Sequence, residues 1–259
     1  QPGEEEAAGG RLIVEEGVLD GVDAAFALHG WPTLPVGHIG LRPGPMLAGA
    51  GVFKIVVHGK GCHAADPGAG IDPIAVGAHI VTALQTIVSR ETNPWDAGVV
   101  SVAKFHAGTA TNIIPESAVL EGTYRSLNDA HHQRIEDSIR RIAEQTATAL
   151  LARADVRFSE NRYPVLHNDP AMTEFVFDTG RALFGEDKVM RFDAPYMGAE
   201  DFSYYLQRAP GAFICLGVNP NAGAPYPPLH SPQYNFGDAP IPVAMRLMST
   251  LALRFLESD

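Results

Sequence analysis

The order of secondary-structure signals over residues 50–165 most constrains the fold of this 259-residue chain. The β-branched run Val52–His58 predicts a strand, Val99–Phe105 predicts a second, and Ala118–Tyr124 alternates polar and apolar residues as a third. A short run at Ala154–Phe158 predicts the fourth strand. With one helix after the first strand and another after the third, the order is that of a ferredoxin-like split βαβ unit.

Two helices of this unit carry recognisable start signals. Asp72 is a good N-cap residue and Pro73 suits the first helical position, so a helix is predicted from there to about Ser89. Asn128 caps a second predicted helix that runs to about Ala152. Along this helix, residues at three- to four-residue spacing predict the stripe that faces the core: Ile135, Ile139, Ile142, Thr146 and Ala149.

The flanking segments predict a second, α/β domain. A short helix is expected over residues 7–16 before Gly17, and the apolar run Asp23–Leu28 predicts a buried strand that ends on His29. Trp31-Pro32 and Pro35 are expected to break the chain there. After residue 165, a helix, a strand and a final helix are predicted at Pro170–Phe184, Gly211–Val218 and Ile241–Leu256.

We therefore predict an α/β domain in two parts, residues 1–49 and 166–259, interrupted by an inserted α+β domain at residues 50–165. Domains typically contain about 100–200 residues, which fits this division. Apolar residues make up 46% of the chain, enough for two hydrophobic cores.

Charge and cysteine content exclude several functional classes. The 30 acidic residues outnumber the 19 basic ones and give a net charge of -11, which disfavours nucleic acid and anionic membranes as partners. No apolar run approaches the roughly 18–20 residues of a membrane span. Cys62 and Cys215 are too few for a disulfide framework, so a reducing, cytoplasmic location is predicted.

Three places could carry chemistry. They are the acidic run Glu4–Glu6, His29 at the end of a predicted strand, and His230 within the proline-rich segment Tyr226–Pro232. Taken singly, these features indicate a solvated helix turn, a structural histidine and a surface loop. Together, a carboxylate and two imidazoles suit zinc, manganese or cobalt, and a neighbouring Glu can act as general base on an activated water.

These segments resemble the motifs of a known family. The chain is similar to the metal-dependent aminoacylase and carboxypeptidase family, in the branch of hippurate hydrolases and indole-acetyl-amino-acid hydrolases. Each motif alone is weak, but seven occur in the family's order. The matching runs are Gln1–Glu5, Leu28–Pro32, Gly40–Ala48, Gly59–Pro67, Gly108–Pro115, Met197–Phe202 and Leu229–Pro232.

The resemblance implies roles in the α/β domain. Glu4 corresponds to the general base that also returns the proton to the leaving amine. Glu5 and His29 correspond to metal ligands, and His230 to a ligand of the second metal. The implied cofactor is a pair of divalent ions per active site, of zinc, manganese or cobalt.

It also implies roles in the inserted domain, which serves the family as a lid and dimerisation domain. His63 and Asn112 would hold the scissile carbonyl and its developing oxyanion. Arg125 or Arg162 would bind the substrate carboxylate, and Gly198 would contribute backbone to the pocket. The implied partners are a small N-acyl amino acid and a second copy of the chain, in a homodimer.

Two departures from the family leave alternatives open. Cys62 stands where the family has glycine, and the H-x-C-G-H-D motif with further metal ligands is absent from these residues, so the α/β domain is expected to be incomplete at its N-terminus. The expected activity is metal-dependent hydrolysis of the amide bond of N-acyl amino acids. The alternatives are a truncated, non-catalytic family member, or a dipeptidase or deacetylase of the same family.

Overall fold

The computed structural model describes residues 3, 4, 8–221 and 223–257. The chain divides into two compact units. The first is formed by Gln1–Leu47, Leu166–Tyr196 and Glu200–Asp259, and the second by Ala48–Val165 and Met197–Ala199.

Both units contain helices and strands. The helices are α1 (Gly9–Glu15), α2 (Pro73–Thr86), α3 (Asp129–Ala149), α4 (Pro170–Phe184), α5 (Phe202–Leu206) and α6 (Ile241–Leu256). The strands are β1 (Ala25–Pro35), β2 (Ile39–Leu41), β3 (Gly44–Leu47), β4 (Gly49–His58), β5 (Cys62–His63), β6 (Gly98–Ala107), β7 (Ile113–Ile114), β8 (Ser117–Ser126), β9 (Arg153–Phe158), β10 (Leu166–Asn168), β11 (Val189–Arg191) and β12 (Gly211–Asn219).

The main sheet of the first unit has the strand order β1-β12-β2-β11. Every residue of β12 is buried, which explains its continuous apolar sequence, since an inner strand covered on both faces has no polar side. β1 runs parallel to β12, from Ala25 opposite Gly211 to Trp31 opposite Gly217. Helices α4 and α6 contribute Phe177 and Leu247 to the core against this sheet.

The expected end of β1 at His29 is wrong. The strand continues to Pro35, so Trp31-Pro32 lies inside it. Proline has no N–H to donate, but β1 is an edge strand of this sheet, and proline is tolerated on edge strands. The prolines instead coincide with an irregularity in the strand pairing. The register between β1 and β12 shifts between Trp31 and Pro35.

The sheet of the second unit has the order β6-β8-β4-β9, with every neighbouring pair antiparallel. The elements β4, α2, β6, β8, α3 and β9 follow one another as strand, helix, strand, strand, helix, strand. Both helices begin at the predicted caps: Asp72 accepts from the Ile74 N–H at 2.8 Å, and Asn128 accepts from the His131 N–H at 2.9 Å. α2 ends at Thr86 and continues as a π-helical turn.

The apolar stripe of α3 is correct in its first half and wrong at its end. Ile135, Ile139 and Ile142 are buried in the core of the second unit, but Thr146 is half-buried and Ala149 exposed. At 100° per residue, position 149 lies about 80° away from Ile139 around the helix axis. The buried positions there are Ala143 and Ala147.

The flanking helices and the strand of the first unit agree with expectation. α4 and α6 have the predicted bounds, and β12 is one residue longer than predicted. The first helix starts at Gly9, and the position expected to open it lies outside the described residues. Among the described residues, no helix combines the length and the hydropathy that a membrane span needs.

Candidate functional site

His29 lies within β1, opposite Cys215 of β12, and its imidazole is half-buried between aromatic rings. The rings of Trp31 and Phe213 each lie 5.9 Å away, between centroids. Nδ1 of His29 is 2.9 Å from the carbonyl oxygen of Gly30. A carbonyl oxygen only accepts, so Nδ1 carries the proton and Nε2 of the neutral ring keeps its lone pair, as in a metal ligand.

His230 sits on a loop with a constrained backbone. Its φ of +64° is in the left-handed region, where a non-glycine residue is uncommon and strain concentrates at functional sites. The residue before it, Leu229, packs against a hydrophobic core, and the N–H of Ser231 bonds to the Pro228 carbonyl at 3.2 Å. The His230 side chain itself is exposed.

The chain that follows His230 packs onto β1 beside His29. A Cβ added at Gly30 would lie 2.8 Å from both the Phe236 ring and the Tyr234 hydroxyl, so only glycine permits this approach. The loop is also closed on itself, because the Tyr226 hydroxyl donates to the Asn235 carbonyl at 2.6 Å. The segment with the second predicted histidine ligand is therefore held against the strand that carries the first.

The carboxyl groups of Glu4 and Glu200 interact electrostatically, and only Glu4 was predicted as a site residue. Burial first, and the negative charge of Glu4 second, raise the pKa of Glu200 from its usual 4.5 to about 7. The neighbouring Asp201 is 3% exposed and accepts from the Gly10 N–H of α1 at 2.6 Å. No sequence signal pairs two acids that are 196 positions apart, although Glu200 lies in one of the matching motifs. Glu5 lies outside the described residues.

Of the predicted metal ligands, His29 and His230 lie within the described residues. In residues 3, 4, 8–221 and 223–257, no three His, Cys, Asp or Glu side chains are grouped as a metal ion requires. The chemistry that fits a metal is the lone pair on Nε2 of His29. The residues described can thus supply individual ligands.

In the second unit, His63 lies on β5, and Asn112 lies in the turn that precedes β7. β5 pairs with β7 so that His63 is opposite Ile113, and the Ala64 N–H bonds to the Asn112 carbonyl at 2.9 Å. Nδ1 of His63 accepts from the Ala65 N–H at 3.0 Å, so the neutral ring carries its proton on Nε2. Both side chains are exposed, and His63 presents a donor to an oxygen atom.

The two candidate arginines have different partners within the second unit. Arg125 is half-buried, and its Nη1 donates to the Met197 carbonyl at 3.0 Å. Desolvation by burial lowers the pKa of Arg125. The adjacent Gly198 is fixed by its carbonyl, which accepts from the Ala48 N–H at 2.8 Å.

Arg162 instead neutralises a buried acid. Its Nη1 donates to Oε1 of Glu136 at 2.9 Å, and the side chain of Glu136 is 9% exposed. The hydroxyl of Tyr124 donates to the same oxygen, and burial first, then the Glu136 contact, raise the pKa of Tyr124. Because removing Arg162 would leave a buried carboxylate uncompensated, the geometry favours Arg125 as the anion-binding residue.

The chain is similar in sequence to several known proteins. The chain is 38% identical over 259 residues to IAA-amino acid hydrolase ILR1-like 4 of Arabidopsis thaliana, covering 99% of this chain and 59% of that protein. It is 35% identical over 260 residues to N-acetyl-L-cysteine deacetylase of Bacillus subtilis, covering 100% and 60%. The chain thus spans about 60% of the length of these relatives.

The chain is also similar to solved structures. A Bacillus subtilis protein described as a dinuclear metal binding peptidase from the M20 family is 32% identical, with a TM-score of 0.81, covering 100% of this chain and 64% of that one. Residues 1–254 match the profile of peptidase family M20/M25/M40. This chain therefore belongs to peptidase family M20/M25/M40.

Proposed function

We propose that the chain belongs to a metal-dependent hydrolase that cleaves the amide bond of N-acyl amino acids. Family membership and the names of two relatives support this, since an IAA-amino acid hydrolase and an N-acetyl-L-cysteine deacetylase both act on such conjugates. The observation that carries the proposal is the pair of opposite histidine tautomers. His29 offers a lone pair to a metal, and His63 offers a proton to an oxygen.

In the first unit, His29, His230 and Glu5 are the proposed ligands of two divalent ions, of zinc, manganese or cobalt. When bound, such ions activate a water molecule and polarise a carbonyl. Glu4 is the proposed general base, which takes the proton of the attacking water and passes it to the leaving amine. Glu200, with its raised pKa, can hold a proton beside Glu4.

In the second unit, Nε2–H of His63 is proposed to donate to the oxygen that becomes negative as water attacks the carbonyl. Asn112, whose carbonyl accepts from the Ala64 N–H at 2.9 Å, is the proposed second donor through its side-chain amide. Donors that are fixed before the reaction stabilise this charge most strongly. Arg125 is proposed to bind the substrate carboxylate, for which its planar guanidinium is suited, with the Gly198 backbone beside it.

The finer features of the proposal come from the family resemblance. The second unit is proposed to act as a lid and to pair two copies of the chain in a homodimer. A cytoplasmic location stays a prediction. Deacetylation is a second candidate, favoured by the Bacillus subtilis deacetylase at 35% identity, and it involves the same bond and the same residues.

A substrate panel with metal removal tests the proposal. We expect the purified protein to release the amine from N-acetyl-L-cysteine, hippurate or an indole-acetyl amino acid. EDTA should abolish that activity, and added zinc, manganese or cobalt should restore it. Elemental analysis should find about two divalent ions per chain. Turnover that persists in EDTA at full rate would refute the mechanism, and a dipeptide-only activity would move the assignment to a dipeptidase.

A further inference from the structure

A cleft of about 460 Å³ lies in the second unit next to Arg125. It is formed by the π-helical turn after α2, the loop at residues 92–97, the start of β6 and Met197. Two residues of the cleft are direct neighbours of Arg125. Val99 is the cross-strand partner of Arg125, and the Met197 carbonyl accepts the hydrogen bond from Arg125 Nη1 at 3.0 Å.

The lining of the cleft suits an uncharged, apolar group. Val88, Pro94, Val99 and Met197 provide apolar walls. Asp96 is the one ionisable residue among the described residues that line it, and no lining residue there is basic. The volume is within the range of about 300–1,000 Å³ that is typical of small-molecule sites.

We propose that this cleft receives the side chain of the substrate's amino acid and selects neutral, apolar side chains over acidic ones. The inference rests on the proposed function, in which Arg125 binds the substrate carboxylate. That carboxylate and the side chain are attached to the same carbon atom. A carboxylate on Arg125 therefore brings the side chain to the place where Val99 and Met197 begin the cleft wall.

The same geometry explains why acidic side chains are disfavoured. A glutamate or aspartate side chain in the cleft would lose water without meeting a basic partner, and it would approach the carboxylate of Asp96. Asp96 is only loosely compensated, because its Oδ2 is 3.9 Å from Nη2 of Arg134. Leucine, methionine and similar side chains would instead bury apolar surface against Val99 and Met197.

The test compares N-acetylglycine, N-acetylleucine and N-acetylglutamate as substrates of the wild-type protein and of Val99→Trp, which fills the cleft. For the wild type we expect kcat/KM to be at least about tenfold higher for the leucine substrate than for the other two. Val99→Trp should lower kcat/KM for leucine by about tenfold or more and change that for glycine by less than about threefold. The matched control is Val52→Trp on β4, where the residue is 51% exposed.

Two further variants keep the test decisive if Val99→Trp does not fold. Val99→Ala enlarges the cleft and should shift the preference from leucine towards N-acetylphenylalanine. Asp96→Asn should raise kcat/KM for N-acetylglutamate by about tenfold. An equal effect of the Val99 variants on glycine and leucine, with activity intact, would overturn the cleft assignment alone. A wild-type protein that hydrolyses none of the substrates would overturn the proposed function, and the assignment with it.

Discussion

His29 in the first unit and His63 in the second are bound to the backbone in opposite ways. Nδ1 of His29 donates to a carbonyl one residue ahead, whereas Nδ1 of His63 accepts from an N–H two residues ahead. The same side chain therefore offers Nε2 as a lone pair in one unit and as a proton donor in the other. Local backbone geometry, and not residue type, decides which histidine suits a metal and which suits an oxyanion.

The largest effect is expected from His29→Ala, because it removes a proposed metal ligand. We expect kcat/KM to fall by more than about 1,000-fold and bound metal to decrease, since the activated water depends on the ion. Activity assays and elemental analysis on the same samples measure both. His38→Ala is the matched control, since Nδ1 of His38 also faces a nearby carbonyl, that of Val36 at 3.5 Å. Unchanged metal content in His29→Ala would contradict its role as ligand.

His63→Ala should have the next largest effect, of a different kind. Removal of one oxyanion donor typically lowers kcat by about 100- to 1,000-fold. Metal content and KM should remain near those of the wild type, because the lost interaction forms mainly in the transition state. His106→Ala, an exposed histidine on β6, serves as the control. Loss of metal from His63→Ala would remove the distinction between the two histidines.

Gly30→Ala should disturb the first unit without removing any proposed ligand. The added Cβ would lie 2.8 Å from the Tyr234 hydroxyl and the Phe236 ring, so the segment after His230 must move. Displaced supporting groups typically cost about 10- to 100-fold in metal affinity or activity. Competition with a chelator measures the affinity. Gly68→Ala is the control, since nothing lies within 4 Å of the added Cβ there. Equal affinities for both variants would show that this packing does not position a ligand.

The smallest effect is on the pH dependence of stability, through Glu200. The folded protein holds the Glu200 proton up to a pKa of about 7, while the unfolded chain releases it near 4.5. Stability is therefore lost as pH rises from about 4.5 to about 7 and stays lost above it. Glu200→Gln should remove this loss, raising Tm by a few degrees above pH 7 in chelator-treated protein and not below pH 4.5.

Thermal unfolding as a function of pH measures this, with Glu186→Gln as the control. Glu186 begins a short exposed turn after α4. A Tm difference between Glu200→Gln and wild type that is the same at every pH would mean that Glu200 does not titrate in this range. Glu200 would then not hold a proton beside Glu4 near neutral pH.

Long elements of both units were predictable because each has a signal in its own local sequence. Asp72 and Asn128 mark helix starts, and the apolar content of β12 marks a buried strand. Short strands were missed because their pairing is set by distant parts of the chain. β2 has three residues, and its partner β11 begins 150 positions later, with Ile39 opposite Val189.

For the candidate site, the sequence gives a set of predicted residues and not their protonation or their partners. The family resemblance pointed to His29, His63 and Arg125, but the ring nitrogen that carries the proton in His29 and His63 depends on nearby backbone groups that no motif encodes. Arg125 was the first candidate in the sequence and Arg162 the second, and the contact of Arg162 with the buried acid Glu136 distinguishes them. Glu200 gained its raised pKa from burial and from a charge at the other end of the chain.

The most direct test of the account is the protonation of the two imidazole rings. Long-range ¹H–¹⁵N correlation spectra of chelator-treated protein, well above the usual histidine pKa of about 6.5, report which ring nitrogen carries the proton. Spectra of His29→Gln and His63→Gln assign the signals. We expect the proton on Nδ1 for His29 and on Nε2 for His63. The same tautomer for both rings would contradict the division of roles between metal ligand and oxyanion donor.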